Sequence, residues 1–154
     1  MKKITPFLWF DKNLKEIKDY YLSIFPDAKF ESNGTLSDTP SGEVETGTLE
    51  IFGQEFSLMT AGPMFKFNEA VSFVINCEDQ KEVDYYWEKL TTNGGQESQC
   101  GWCKDKYGLS WQVVPNALGE LMSKGSDKQK GQVVQAFMKM KKFDIAGLEK
   151  AFND

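Results

Sequence analysis

Residues 70–90, AVSFVINCEDQKEVDYYWEKL, repeat in outline residues 4–24, ITPFLWFDKNLKEIKDYYLSI, at an interval of 66 positions. In each copy a short run rich in β-branched and aromatic residues is followed by apolar residues at helical spacing. Those are Leu14, Ile17, Tyr20, Tyr21 and Ile24 in the first copy, and Val83, Tyr86, Trp87 and Leu90 in the second. The interval pairs Phe7 with Phe73, Leu8 with Val74, residues 15–17 with 81–83, Tyr20 with Tyr86 and Ile24 with Leu90. Asn13 or Asp11 can cap the first helix, and Pro26 closes it.

Working outward, the period changes from helical to alternating. Residues 29–36, 43–52 and 54–60 read as strands, with turns at Thr39-Pro40-Ser41-Gly42 and Phe52-Gly53-Gln54. Residues 61–69 form a connector. After the second helix, which ends at Asn93-Gly94-Gly95, strands are expected near 96–100, 102–106 and 109–114, the last two meeting at Tyr107-Gly108. A second interval, 55, pairs Phe52-Gly53 with Tyr107-Gly108, Phe56 with Trp111 and Leu58 with Val113. The chain therefore reads as α+β: two βαβββ modules, about 1–61 and 70–115, forming a curled mixed sheet around a cup within a paired-module region 1–115. A helical tail, 116–154, is expected to pack on the same domain, with helices over 118–122, 133–140 and 145–152. Ser126 and Asp144 are its candidate caps, and 125–131 a polar break.

Composition narrows the partners. The 154 residues, 40% hydrophobic and 27% charged, suffice for a substantial core. The apolar run 71–75 is far too short to span a bilayer, and Met1-Lys2-Lys3 leads into a strand rather than a signal-peptide core, so a cytoplasmic protein without a membrane partner is expected. Eighteen basic against 23 acidic residues give a net charge of −5, which disfavours nucleic acid. Three cysteines, an odd count, argue against a disulfide framework. No histidine is present, so any chemistry must come from carboxylates, thiols, hydroxyls or amides.

The duplicated layout resembles the vicinal-oxygen-chelate superfamily (glyoxalase, bleomycin resistance, dioxygenase). Within it, the chain looks like the PhnB-like proteins, often labelled a 3-demethylubiquinone-9 3-methyltransferase domain. The segments that carry the resemblance are ITPFLWFD (4–11), FKFNEAVS (65–72), NCEDQKEVDYYWEKL (76–90), CGWCKDKYGLSWQVVP (100–115) and MKMKKFDIAGLE (138–149). The resemblance implies homodimers, and in its metal-using members four ligands facing the cup. Counting from Tyr20, Tyr86, Gly53 and Gly108 puts Pro6, Ser72, Ser57 and Gln112 at those four places. A divalent ion prefers imidazole and carboxylate donors, so no metal and no other cofactor are expected. Nor is there a glycine-rich loop after a leading strand to hold S-adenosylmethionine.

Strand parity selects the candidate pocket: Pro6, Leu8, Ser57, Met59, Ser72, Val74, Ser110, Gln112 and Val114, with Trp102, Phe65, Phe67 and Asn68 at its rim. The plainer alternative is that these residues simply fill a barrel. Cys100-Gly-Trp-Cys103 has the spacing of a redox dithiol, but it precedes a strand rather than a helix N-terminus, and structural thiols are the simpler account. Glu43, Glu69 and Asp105 are conceivable bases, with solvated charge as the plainer alternative. The leading expectation is a metal-free protein that binds a small molecule of unknown identity. The alternatives are a metal-dependent or methyltransferase-like enzyme and a protein-interaction module.

Overall fold

The computed structural model describes residues 2–154. The chain divides into two compact units, Met1–Lys66 and Phe67–Asp154. In the first unit, β1 (Phe7–Phe10) leads into α1 (Leu14–Ile24), then β2 (Lys29–Thr39), β3 (Gly42–Ile51) and β4 (Gln54–Thr60). The second unit holds β5 (Ser72–Cys77), α2 (Gln80–Thr91), β6 (Gln96–Glu97), β7 (Trp102–Lys104), β8 (Ser110–Pro115) and three more helices, α3 (Asn116–Lys124), α4 (Asp127–Phe137) and α5 (Ile145–Asn153).

Each unit contains one four-stranded mixed sheet, and the two sheets share a topology: β1-β4-β3-β2 in the first and β5-β8-β7-β6 in the second. The first and last strands of each module are parallel neighbours, and all other pairs are antiparallel. The βαβββ duplication read from the sequence is thus the architecture of the chain.

The helices start at equivalent residues. Asn13 takes a left-handed φ of 64°, which Asn tolerates, and its side chain accepts a bond from the Glu16 N–H. Asp79, 66 residues later, accepts from the Glu82 N–H at 2.9 Å, and the Glu82 carboxylate accepts in return from the Glu78 N–H. Ile17 and Val83, Tyr21 and Trp87, and Ile24 and Leu90 are buried at the same interval. One face of each sheet is sealed by apolar side chains: Leu8, Phe10, Leu49, Phe56 and Leu58 in the first unit, Ile75, Cys77, Cys103, Trp111 and Val113 in the second.

Several boundaries differ from the sequence reading. The strand expected at 96–100 stops at Glu97, because residues 99–101 turn the chain, with Cys100 and Gly101 both at positive φ. The strand expected over 102–106 ends at Lys104, since 105–109 form a wide turn. In the tail, α4 begins at Asp127, inside the stretch read as a polar break. Ser126 forms a full capping box with Gln129, and this starts the helix early. Asp144 stands at the N-terminus of α5 without a side-chain cap bond.

The tail belongs to the second unit. Gln80 on α2 donates to the Phe143 carbonyl at 3.0 Å and accepts from the Ile145 N–H at 2.8 Å. The N–H groups of Cys100 and Gly101 donate to the carbonyls of Met140 and Lys141. Phe143 covers Gly101 so closely that a Cβ there would lie 2.4 Å from its ring.

Candidate functional site

In the second unit, strand register decides which side chains share the face opposite α2. Ser72 pairs with Ser110 and Val74 with Gln112 across the parallel β5–β8 ladder, while Trp102 pairs with Gln112 and Lys104 with Ser110 across β7–β8. Paired residues project from the same side of a sheet. Ser72, Val74, Trp102, Ser110 and Gln112 therefore line one surface, and Val114, two residues beyond Gln112, joins them. The partners facing the other way, Phe73, Ile75, Trp111 and Val113, lie on the helix side.

A cavity of about 360 Å³ lies at the β6–β7 side of this surface, lined by Trp102, Lys104, Ser110, Gln96, Ser98 and Glu69 together with Glu97 and Cys103 of the opposite parity, while Ser72, Val74, Gln112 and Val114 lie on the same sheet face outside its lining. Gln112 donates from Nε2 to the Ser72 hydroxyl at 2.9 Å. Ser110 is fully buried, and its hydroxyl reaches the Asn68 carbonyl at 3.5 Å. Lys104 forms an ion pair with Glu69, and the ammonium beside Glu69 holds its carboxyl below the usual range, helped by its own backbone N–H.

In the first unit the parity expected for β1 is off by one residue. Leu8 pairs with Leu58 and is buried on the helix side, and Pro6 falls on the same parity as Leu8 and Phe10. The open side of that sheet instead carries Phe7 beside Ser57 and Trp9 beside Met59. The cause is the strand-to-helix connection. Two residues, Asp11 and Lys12, separate Phe10 from the Asn13 cap, whereas Glu78 alone separates Cys77 from the Asp79 cap. The helices repeat at 66 but the strands at 67, pairing Leu8 with Ile75 and Phe10 with Cys77. A one-residue slip moves every side chain of a strand to the opposite face. Of the rim candidates, Phe65 packs edge-on against Trp9 at 4.9 Å within the first unit, and Asn68 accepts from the Ala70 N–H within the second.

The positions counted as ligand places carry donors unsuited to a divalent metal. Ser57 and Ser72 offer neutral hydroxyls, Gln112 offers only a neutral amide oxygen while its Nε2 donates to Ser72, and Pro6 has no donor side chain. Among the described residues, no three His, Cys, Asp or Glu side chains come together in a way that could hold a metal ion.

Of the remaining chemical candidates, Asp105 and the buried cysteines have structural surroundings. Asp105 is buried in the β7–β8 turn, where Oδ1 accepts from the N–H groups of Tyr107 and Leu109 at 2.9 and 3.1 Å and Oδ2 accepts from the Trp111 indole at 3.0 Å. Cys103 is buried on the helix side of β7, whereas Cys100 lies in the turn before it with its sulfur 3.7 Å from the Phe137 carbonyl. Burial, then the nearby Asp105 charge, pushes the Cys103 thiol up to about 12. Cys77 is raised to about 12 chiefly by burial. Neither buried thiol has the lowered pKa that a redox nucleophile needs. Glu43 lies in a separate depression of the first unit with Glu45, Asp11 and Thr60.

Sequence reasoning missed Lys104 and Gln96 as members of the pocket face. Only the width of the 105–109 turn fixes which residue of β7 meets Ser110, and no periodicity within a three-residue strand reports it.

A family model described as 3-demethylubiquinone-9 3-methyltransferase matches residues 2–114 and stops just before α3. No curated protein matches the chain. Among solved structures, a PhnB protein from Bacillus cereus bearing the same family description is similar at 28% identity and a TM-score of 0.64, over 74% of this chain and 99% of that one. Protein PA1353 from Pseudomonas aeruginosa is similar in fold at 18% identity and a TM-score of 0.60, over 75% and 98%. The fosfomycin resistance protein FosX from Mesorhizobium loti shares the fold at 13% identity and a TM-score of 0.58, over 80% and 100%. Matched through nearly all of its two βαβββ modules, the chain belongs to the 3-demethylubiquinone-9 3-methyltransferase family, as a PhnB-like protein of the vicinal-oxygen-chelate superfamily.

Proposed function

We propose that the chain binds a small, partly apolar molecule on the open face of its second sheet, without a metal, and that Ser72, Val74, Trp102, Ser110, Gln112 and Val114 form the floor of the site. The observation that carries this reading is register: three strands bring two hydroxyls, an amide and an indole onto one surface, and two of these residues, Ser110 and Trp102, line a cavity of about 360 Å³. That size and mixture suit a small ligand, with apolar area supplying affinity and a few polar groups fixing orientation. The hydrogen bond between Gln112 and Ser72 holds the amide in one orientation before a ligand arrives. Neither sheet has the consecutive parallel βαβ crossovers of a dinucleotide-type fold, so the floor favours capture over methyl transfer.

The reading includes a homodimer in the cytoplasm. Ile4, Phe7, Met64 and Phe65 leave large apolar side chains exposed in the first unit, as a subunit contact would require. No helix among the described residues is long and apolar enough to cross a membrane.

The test is a thermal-shift screen of the full chain against a metabolite panel, repeated with Gln112→Leu. Compounds that raise the melting temperature of the parent should lose their effect in the variant, with and without chelator. A panel without a single stabilising compound, or hits indifferent to Gln112→Leu, would refute the site.

A further inference from the structure

The sheet face on which Trp102, Lys104 and Ser110 line the cavity is chemically ordered along the strands. One rung across all four strands reads Gln96, Lys104, Ser110, Ser72, and the adjacent rung reads Trp102, Gln112, Val74. Ser98 stands beside Trp102, its N–H donating to the Trp102 carbonyl at 2.9 Å. Successive rungs lie two residues apart, about 6–7 Å. One end of this face is thus hydroxyl, amide and ammonium, and the next step along it is indole and aliphatic with the Gln112 amide between them.

Lys104 is the basic side chain in the lining, and it is mostly covered, at 28% exposure. Its partner Glu69 reaches in from the segment before β5 and is 64% exposed. The other acid of the lining, Glu97, has its carboxylate taken by the Trp87 indole at 2.9 Å and by Lys141 at 3.7 Å. A covered ammonium paired with a well-solvated carboxylate is a weakly held pair, since the exposed partner keeps most of its hydration when it leaves. A carboxylate attached to an apolar body would offer Lys104 the same charge while covering Trp102, which lines the cavity beside it. One ammonium balances one negative charge. A dianion would leave a surplus charge next to Glu97.

We infer that this cavity takes a small monocarboxylate with a planar or apolar body, anchored by the Lys104 ammonium, and that Glu69 is the resident carboxylate it displaces. The inference rests on the pocket reading above and adds the charge class of the ligand.

The probes are benzoate and its neutral isostere benzamide, titrated calorimetrically into the full chain. Removing the competitor with Glu69→Gln should tighten benzoate about threefold, the scale of an exposed ion pair. Lys104→Met should weaken it about tenfold or more, the scale of a charge-assisted hydrogen bond, and Lys104→Arg should restore most of the loss. Benzamide should respond to none of these changes. Unaltered melting curves for the three variants exclude misfolding as the cause. The inference is overturned if benzoate fails to bind parent and Glu69→Gln at millimolar concentration, or binds all variants alike. In either case, if neutral compounds still bind and still lose their effect in Gln112→Leu, the pocket reading stands and the charge assignment alone falls.

Discussion

Replacing Asp105 by Asn tests whether a buried carboxylate holds the turn that sets the register of the pocket floor. Its three acceptor contacts go to two backbone N–H groups and one indole N–H, all within 3.1 Å. An asparagine keeps one acceptor oxygen for Tyr107 and Leu109 but turns its NH2 toward the Trp111 indole, setting donor against donor. Exchanging charged for neutral bonds costs roughly 0.5–1 kcal/mol at each backbone contact, and the indole loses its partner at roughly 1–3 kcal/mol. The sum is about 3 kcal/mol, which for a chain of this size lowers the melting temperature by about 6–12 °C. Urea denaturation followed by tryptophan fluorescence and by circular dichroism measures it. Because Ser110 and Gln112 begin immediately after the turn, ligand-induced stabilisation should shrink in parallel. A cost below about 0.5 kcal/mol, within the range of ordinary surface substitutions, would show that packing rather than the carboxylate sets this turn.

Three further outcomes follow from the same structure. Leu8→Ala should cost about 2–4 kcal/mol, as a buried leucine does, whereas Phe7→Ser on the open face should change the stability of the isolated chain by less than about 1 kcal/mol; the reverse order in denaturant melts would restore Leu8 to the pocket face. Iodoacetamide at pH 8 should label the half-buried Cys100 in the native protein and spare Cys77 and Cys103, as peptide mapping would show. The same two thiols make stability fall with alkali: they stay protonated to about pH 12 when folded but ionise near pH 8.5–9 when unfolded. Their contribution is intact below about pH 8.5, and above it the unfolded state binds fewer protons. Stability should then drop by up to about 1.4 kcal/mol per pH unit for each thiol, and a double Cys→Ala variant should lose that slope.

Much of the architecture was legible because it depends on local periodicity. Helical and alternating patterns, the 66-residue interval between the helices and the 55-residue interval between the last strands, the Asn13 and Ser126 caps and the turn at Phe52-Gly53 are properties of neighbouring residues, and the structure keeps them. In the second unit the sheet face shared by Ser72, Val74, Ser110 and Gln112 followed from parity, since β5 and β8 carry no bulge and their alternation survives pairing.

What lay beyond the sequence depends on how segments meet. An extra residue between Phe10 and Asn13 leaves both flanking patterns intact, yet it turns Pro6 and Leu8 away from the open face and Phe7 and Trp9 toward it. The partner of Ser110 was hidden for a similar reason: Lys104 reaches it only because Asp105 folds five residues into a wide turn where the first unit uses two. Asp105 itself reads in the sequence as one more surface acid. Its burial comes from Trp111, six positions away, and the backbone N–H groups closing around it. Alternation says only that residues share a face. Which face it is, and which charges are brought to it, are decided by connection lengths and strand pairing, because a displacement of one residue costs the local pattern nothing and reverses every side chain.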